Sequence, residues 1–95
     1  MTTLSNNKIK SNSVDIFDKQ LIVAKKFEES GKIDEAINIY EECVHLKCED
    51  SIPYDRLVIL YRKKRQKDHE IRILKLAIQM FKQQDKYQVR LDKIQ

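Results

Sequence analysis

Residues 24–46 read AKKFEESGKIDEAINIYEECVHL and carry the clearest helical pattern in the chain. On both sides of Gly31, apolar residues return every three or four positions, which is the spacing of a helix face that packs on a core. Glycine takes up the left-handed backbone at which helices often end. Asp34 and Glu35 then suit the positive end of a new helix dipole. The stretch therefore predicts two helices joined by a tight turn at Gly31.

Helical spacing of apolar residues continues through most of the remaining chain. A third helix is expected after an N-cap at Ser51, with Pro53 tolerated in its first turn. A fourth helix is expected to begin near Asp68, and a last apolar stripe lies within residues 85–95. Residues 1–12 are polar and without periodicity, which is typical of a flexible N-terminal arm. The sequence therefore predicts an all-α domain over residues 13–95.

The chain repeats itself at an interval of 34 residues. This offset places Val23 on Leu57 and Ile39 on Ile73, and it carries Leu57 onto Leu91. Matches at one offset along two successive helices indicate a repeated helix-turn-helix unit, which buries its apolar face by stacking on its neighbours.

A 34-residue helix-turn-helix period resembles the tetratricopeptide repeat family. The residues that match its small, aromatic and turn positions are Ala24, Phe27, Gly31, Ala36, Tyr40 and Cys43. The second copy resembles the family chiefly through its period, because Arg65 stands at the place of the glycine and Glu70 at the place of a small alanine. A buried Glu70 would need a positive partner, for which Arg56 and Arg62 are the candidates.

The resemblance implies an α-solenoid of antiparallel helix-turn-helix repeats. The repeats would cover about residues 17–50 and 51–84, and a capping helix about residues 85–95. Two repeats are fewer than the three that a stable stack usually needs. We therefore expect the open end to be covered by the N-terminal arm, by a partner, or by a second copy of the chain in a homodimer.

Charge is divided unevenly along the chain. The net charge is +4, but residues 1–50 carry −3 and residues 51–95 carry +7. Much of the basic excess lies in the cluster Arg62–Lys67. Such a cluster attracts phosphate or acidic protein surfaces, or it is a solvated helix end that complements the helix dipole. The cluster makes a small nucleic-acid-binding or regulatory protein the alternative function.

The residues that catalysis needs are missing from the sequence. A single glycine leaves no phosphate-binding loop, and His45 and His69 stand apart from any activated nucleophile. Cys43, His45 and Cys48 lie close in sequence, but residues two apart on a helix point in nearly opposite directions and do not share a metal. We expect no enzyme, no cofactor and no metal. Without a long apolar run or a signal peptide, we expect a cytoplasmic protein with no membrane contact.

The family resemblance implies a function in protein–protein interaction, as in an adaptor. Tetratricopeptide arrays generally hold a peptide or a partner helix on the concave surface made by the first helix of each repeat. The residues of that surface here would be Leu21, Lys25, Glu28, Asp55, Ile59, Arg62 and Lys63, with Asp18 and Ile52 on the same face. Apolar residues flanked by basic ones favour an acidic, partly apolar peptide as the partner.

Overall fold

Residues 17–95 are described by a computed structural model, and they form five helices and no strand. The helices are α1 (residues 17–29), α2 (Ile33–His45), α3 (Ile52–Lys63), α4 (Lys67–Met80) and α5 (Lys86–Ile94). The all-α prediction is confirmed. The predicted N-terminal arm, residues 1–12, lies outside the described residues.

The first three helices end in the same backbone motif. After α1, the Lys32 N–H donates to the Phe27 carbonyl at 2.8 Å, and the Gly31 N–H closes a companion bond at 3.1 Å. The same pair of bonds follows α2 and α3, centred on Lys47 and Arg65. All three central residues have positive φ, 79° at Gly31 and 58° at the other two. The predicted turn at Gly31 is confirmed, and two basic residues adopt the backbone that glycine favours.

The start of α3 differs from the prediction in one detail. Ser51 stands at the N-cap, but its side chain makes no capping bond. The carboxylate of Asp50 instead accepts the Ile52 N–H at 2.9 Å. A short acidic side chain readily bonds a backbone N–H two residues on, so it takes over the role expected of the serine. Pro53 lies in the first turn, as predicted.

Consecutive helices run antiparallel. The Cys43 thiol near the end of α2 lies 3.3 Å from the Gln20 side chain near the start of α1. In the next pair, the Tyr54 ring near the start of α3 lies edge-on to the Phe81 ring just after the end of α4, with centroids 5.1 Å apart. The connections between these pairs span only residues 30–32 and 64–66, so the chain folds directly back on itself.

Helices two apart in the chain also contact each other. Arg56 of α3 lies 2.5 Å from Glu28 of α1, and Lys86 of α5 lies 3.1 Å from Asp55 of α3. An equivalent ion pair joins α4 to α2. Long side chains therefore link α1 to α3, α3 to α5 and α2 to α4.

Small residues set how closely the helices approach in the core. Ala24, Ala36 and Ala77 are completely buried, and they belong to the same core cluster as the buried rings of Tyr40 and Tyr54. Without side-chain bulk at the alanines, the helix backbones pack tightly. The remaining buried members of this cluster are Ile37, Val44, Leu57, Val58, Leu60, Tyr61, Ile73, Leu74, Tyr87 and Leu91.

One face of the α1–α2 pair is left open by the other described residues. Val23 is 44% exposed and Ile39 is half-buried, although Leu57 and Ile73, their counterparts 34 residues later, are completely buried. A groove of about 330 Å³ lies along this face. Val23 belongs to the predicted apolar stripe but not to the core, because no described helix precedes α1. The homodimer that would cover this end stays a prediction.

Substitutions at two of the left-handed turn positions should change the free energy of unfolding in opposite directions. Gly31→Ala should lower the free energy of unfolding by about 1 kcal/mol, because a Cβ strains this backbone. Steric crowding adds nothing, since no heavy atom lies within 4 Å of the added Cβ. Lys47→Gly should raise the same quantity by about 0.5 kcal/mol, because it relieves that strain. Urea denaturation followed by circular dichroism measures both changes, and shifts of the same sign would contradict this account of the turns.

Candidate functional site

A groove of about 530 Å³ lies between α1 and α3. Its apolar wall consists of Leu21 and Ile22 from α1 and Ile52 from α3, and its basic residues are Lys25 and Arg56. Ile22 and Ile52 are 55% and 47% exposed. Large apolar side chains that are exposed together on a small protein commonly mark a contact surface. We call this the α1–α3 groove.

Glu28 also lines the α1–α3 groove, where three helices meet. Its carboxylate accepts a hydrogen bond from the Tyr40 hydroxyl of α2 at 2.5 Å, and a two-pronged bond from Arg56 of α3 at 3.1 and 2.5 Å. Burial would raise the pKa of Glu28, but the hydrogen bonds from Arg56 and Tyr40 outweigh burial and hold that pKa below its usual value. Glu28 is therefore ionised at neutral pH, and its negative charge is neutralised by contacts within the fold.

Glu41 joins the next three helices in the same way. The Tyr61 hydroxyl of α3 donates to its carboxylate, and Arg72 of α4 donates twice, at 3.2 and 2.5 Å. Burial would raise the pKa of Glu41, but the hydrogen bonds from Arg72 and Tyr61 lower it overall. For Tyr61 the same contact works in the other direction, since burial and the neighbouring carboxylate both raise the pKa of its hydroxyl.

Two further carboxylates bridge the C-terminal helices. Asp55 of α3 accepts from the Tyr87 hydroxyl at 2.8 Å and from Lys86 at 3.1 Å, both on α5. Glu70 of α4 accepts from Arg90 of α5 at 2.7 Å and lies 3.5 Å from Arg62 of α3. We call Glu28, Glu41, Asp55 and Glu70 the bridging carboxylates.

Three of the predicted surface residues lie together. Leu21, Lys25 and Glu28 all line the α1–α3 groove, and so does Ile52, which was expected on the same face. Lys25 is exposed, whereas the side chain of Glu28 is only 12% exposed. Of these residues, Leu21, Ile52 and Lys25 are available to a ligand.

The other predicted surface residues do not line this groove. Asp55 accepts a hydrogen bond from Tyr87 of α5, and Ile59 is half-buried elsewhere on α3. Arg62 pairs with Glu70 and lines a different groove, where α3 and α4 meet α5. Lys63 is exposed near Glu28, and its charge contributes to lowering the pKa of that carboxyl.

Sequence reasoning missed four groove residues, which are Ile22, Glu29, Tyr40 and Arg56. Ile22 does carry a signal, because it is a large apolar residue that falls outside the apolar stripe of its helix. Arg56 and Tyr40 carry none, since their contact with Glu28 joins positions 28 and 12 residues apart. Such a contact becomes visible only once the helices are placed.

The cluster Arg62–Lys67 is divided between different partners. Arg62 lies on Glu70, and Lys64 donates to Asp34 at 2.7 Å. The α3–α4 turn, with Arg65 at its centre, redirects the chain before Lys67. Arg62, Arg65 and Lys67 line one groove beside α5, whereas Lys64 lies on Asp34, so the cluster is divided between two places. Nucleic-acid binding through it stays an untested alternative.

The cysteines have no reactive character. Cys43 and Cys48 are buried, and burial raises the pKa of the Cys43 thiol to about 11, which keeps it protonated at neutral pH. His45 is exposed, so it diverges from Cys43 as residues two apart on a helix should. Within residues 17–95, no three acidic, histidine or cysteine side chains are placed to hold a metal ion. None of the helices among these residues is both long and apolar enough to cross a bilayer.

Comparisons of the chain with protein-family models, with curated proteins and with solved structures gave no match. The tetratricopeptide resemblance therefore depends on the residues and contacts of this chain alone.

Acid should destabilise the fold through Glu28 and Glu41, the two carboxylates whose pKa folding lowers. A carboxyl whose pKa is lowered by folding stabilises the native state above its unfolded pKa, near 4.5, and this contribution is lost as the pH falls through the folded pKa. We expect Glu28→Gln to lower the free energy of unfolding by about 1–2 kcal/mol at neutral pH and to weaken its dependence on acid pH.

Urea midpoints at neutral and acid pH measure this effect. Glu29→Gln is the matched control, because it removes the same charge from the exposed neighbouring residue. If both variants follow the wild-type acid profile, Glu28 does not bridge the helices as described.

Proposed function

We propose that this chain is a non-catalytic interaction module that binds a peptide or a partner helix in the α1–α3 groove. The groove itself is the observation that carries the proposal. It combines exposed apolar side chains, Ile22 and Ile52, with Lys25 at its edge. Apolar area supplies affinity, and a single charge at the rim fixes the orientation of the ligand.

The proposal includes a tetratricopeptide-like arrangement of the helices. It is supported by antiparallel neighbours, by contacts between helices two apart, and by completely buried alanines at two family positions, Ala24 and Ala36. On this proposal the repeats are residues 17–50 and 51–84, and α5 acts as the capping helix. The groove then lies on the concave face, between the first helices of the two repeats.

The charges narrow the chemistry of the ligand. Arg56 and Glu28 neutralise each other, which leaves Lys25 and Glu29 with opposite signs at the edge of the groove. An acidic preference would therefore depend on Lys25, with support from the nearby Lys63. A helix that presents an apolar stripe and one carboxylate fits this arrangement better than a uniformly acidic peptide.

Selection from a peptide-display library tests the proposal, because it does not require the partner to be identified first. Enriched peptides should carry apolar residues at helical spacing with an acidic residue beside them. We expect Ile52→Asp and Lys25→Glu each to weaken their binding by about tenfold, the loss of one buried apolar or charged contact.

Lys75→Glu is the control, since Lys75 is exposed on α4 and does not line the groove. It should leave affinity unchanged. The proposal fails if no peptide family is enriched, or if the groove variants and the control lose affinity equally.

A further inference from the structure

A second groove, of about 480 Å³, lies where the α3–α4 turn meets α5. Five cationic side chains and a single carboxylate, Glu70, line it. The cations are Arg62 of α3, Arg65 of the α3–α4 turn, Lys67 of α4, and Arg90 and Lys93 of α5. We call this the basic groove.

The fold accounts for only part of this positive charge. Glu70 is 3% exposed at its side chain and is shared by two arginines, with Arg90 at 2.7 Å and Arg62 at 3.5 Å. No ion pair within residues 17–95 involves Arg65, Lys67 or Lys93. Three cations therefore converge on the groove beyond those that neutralise the buried carboxylate.

The backbone around the groove adds to its attraction for an anion. Arg65 occupies a left-handed position, which places a guanidinium at the edge of the groove where glycine would suit the turn better. The first turn of α4 contributes Lys67 and Glu70 to the lining, and no side chain caps its N–H groups. The positive end of the α4 dipole thus lies beside the cations.

We propose that the basic groove binds a phosphate monoester dianion. Guanidinium groups match the spacing of phosphate oxygens through paired hydrogen bonds, and a dianion suits the excess of cations better than a single carboxylate does. All five cations line the same groove of about 480 Å³, so its size favours one phosphate group over an extended nucleic-acid backbone. This site is separate from the α1–α3 groove and does not depend on a peptide binding there.

Titration with inorganic phosphate and with O-phosphoserine, followed by amide chemical shifts in NMR, tests the proposal. Chloride keeps the ionic strength constant. Saturable shifts should be confined to residues 62–70 and 90–94. Arg65→Gly and Lys93→Gln should each weaken binding by about tenfold, the loss of one charge-assisted contact.

Arg65→Gly separates binding from folding, because it relieves backbone strain and should not destabilise the protein. Lys47→Gly makes the same backbone change outside the groove and should keep wild-type affinity. A further titration with a phosphoserine peptide distinguishes the two sources of the phosphate group. If the peptide binds more tightly than inorganic phosphate, the natural ligand is a phosphorylated protein; if both bind equally, it is a small metabolite.

Three results would overturn the proposal. The first is a set of amide chemical-shift changes that do not saturate, or that chloride also produces, which would mean that phosphate acts only by screening charge. The second is unchanged affinity in both groove variants. The third is tighter binding of single-stranded RNA than of phosphoserine through the same residues, which would make the basic groove a nucleic-acid-binding surface.

Discussion

The fold depends on four carboxylates that are withdrawn from solvent to different degrees and shared between helices. Glu28, Glu41, Asp55 and Glu70 follow one another at intervals of thirteen to fifteen residues, so each of α1 to α4 supplies one. Each accepts from basic or tyrosine side chains on later helices. Helices of nine to fourteen residues are marginal in isolation, and an ion left unpaired in the interior is costly. The observed packing of the helices meets both constraints.

The same ion pairs determine which charges remain for function. Arg56 and Glu28 neutralise each other beneath the α1–α3 groove, so apolar side chains dominate there. At the other end, Glu70 is shared by two arginines and leaves the basic groove strongly positive. The ion pairs of the bridging carboxylates thus leave two different surfaces, an amphipathic groove on α1 and α3 and a cationic groove beside α5.

Local signals in the sequence were sufficient for the all-α class, for most helix boundaries and for the turn at Gly31. They did not reveal the turn at Lys47, because no glycine marks it and the backbone strain is accepted instead. Arg62 was correctly named as a candidate partner for the buried Glu70, whereas the other candidate, Arg56, was wrong because it pairs with Glu28. Arg90 was missed because its contact requires α5 to be placed first. Half of the groove lining, namely Leu21, Lys25, Glu28 and Ile52, was anticipated from the family resemblance. Arg56 could not be, since nothing local links it to Glu28.

Native-state hydrogen exchange tests most directly whether the bridging carboxylates make the helices one cooperative unit. In the wild type, we expect the slowest amides of α1 to α4 to exchange with one common free energy and one urea dependence. In Glu41→Gln, which weakens the link from α2 to α3 and α4, the α1–α2 pair should open at a lower free energy than the rest. Independent opening of α1–α2 in the wild type, or a variant that still exchanges as one unit of unchanged stability, would contradict this account.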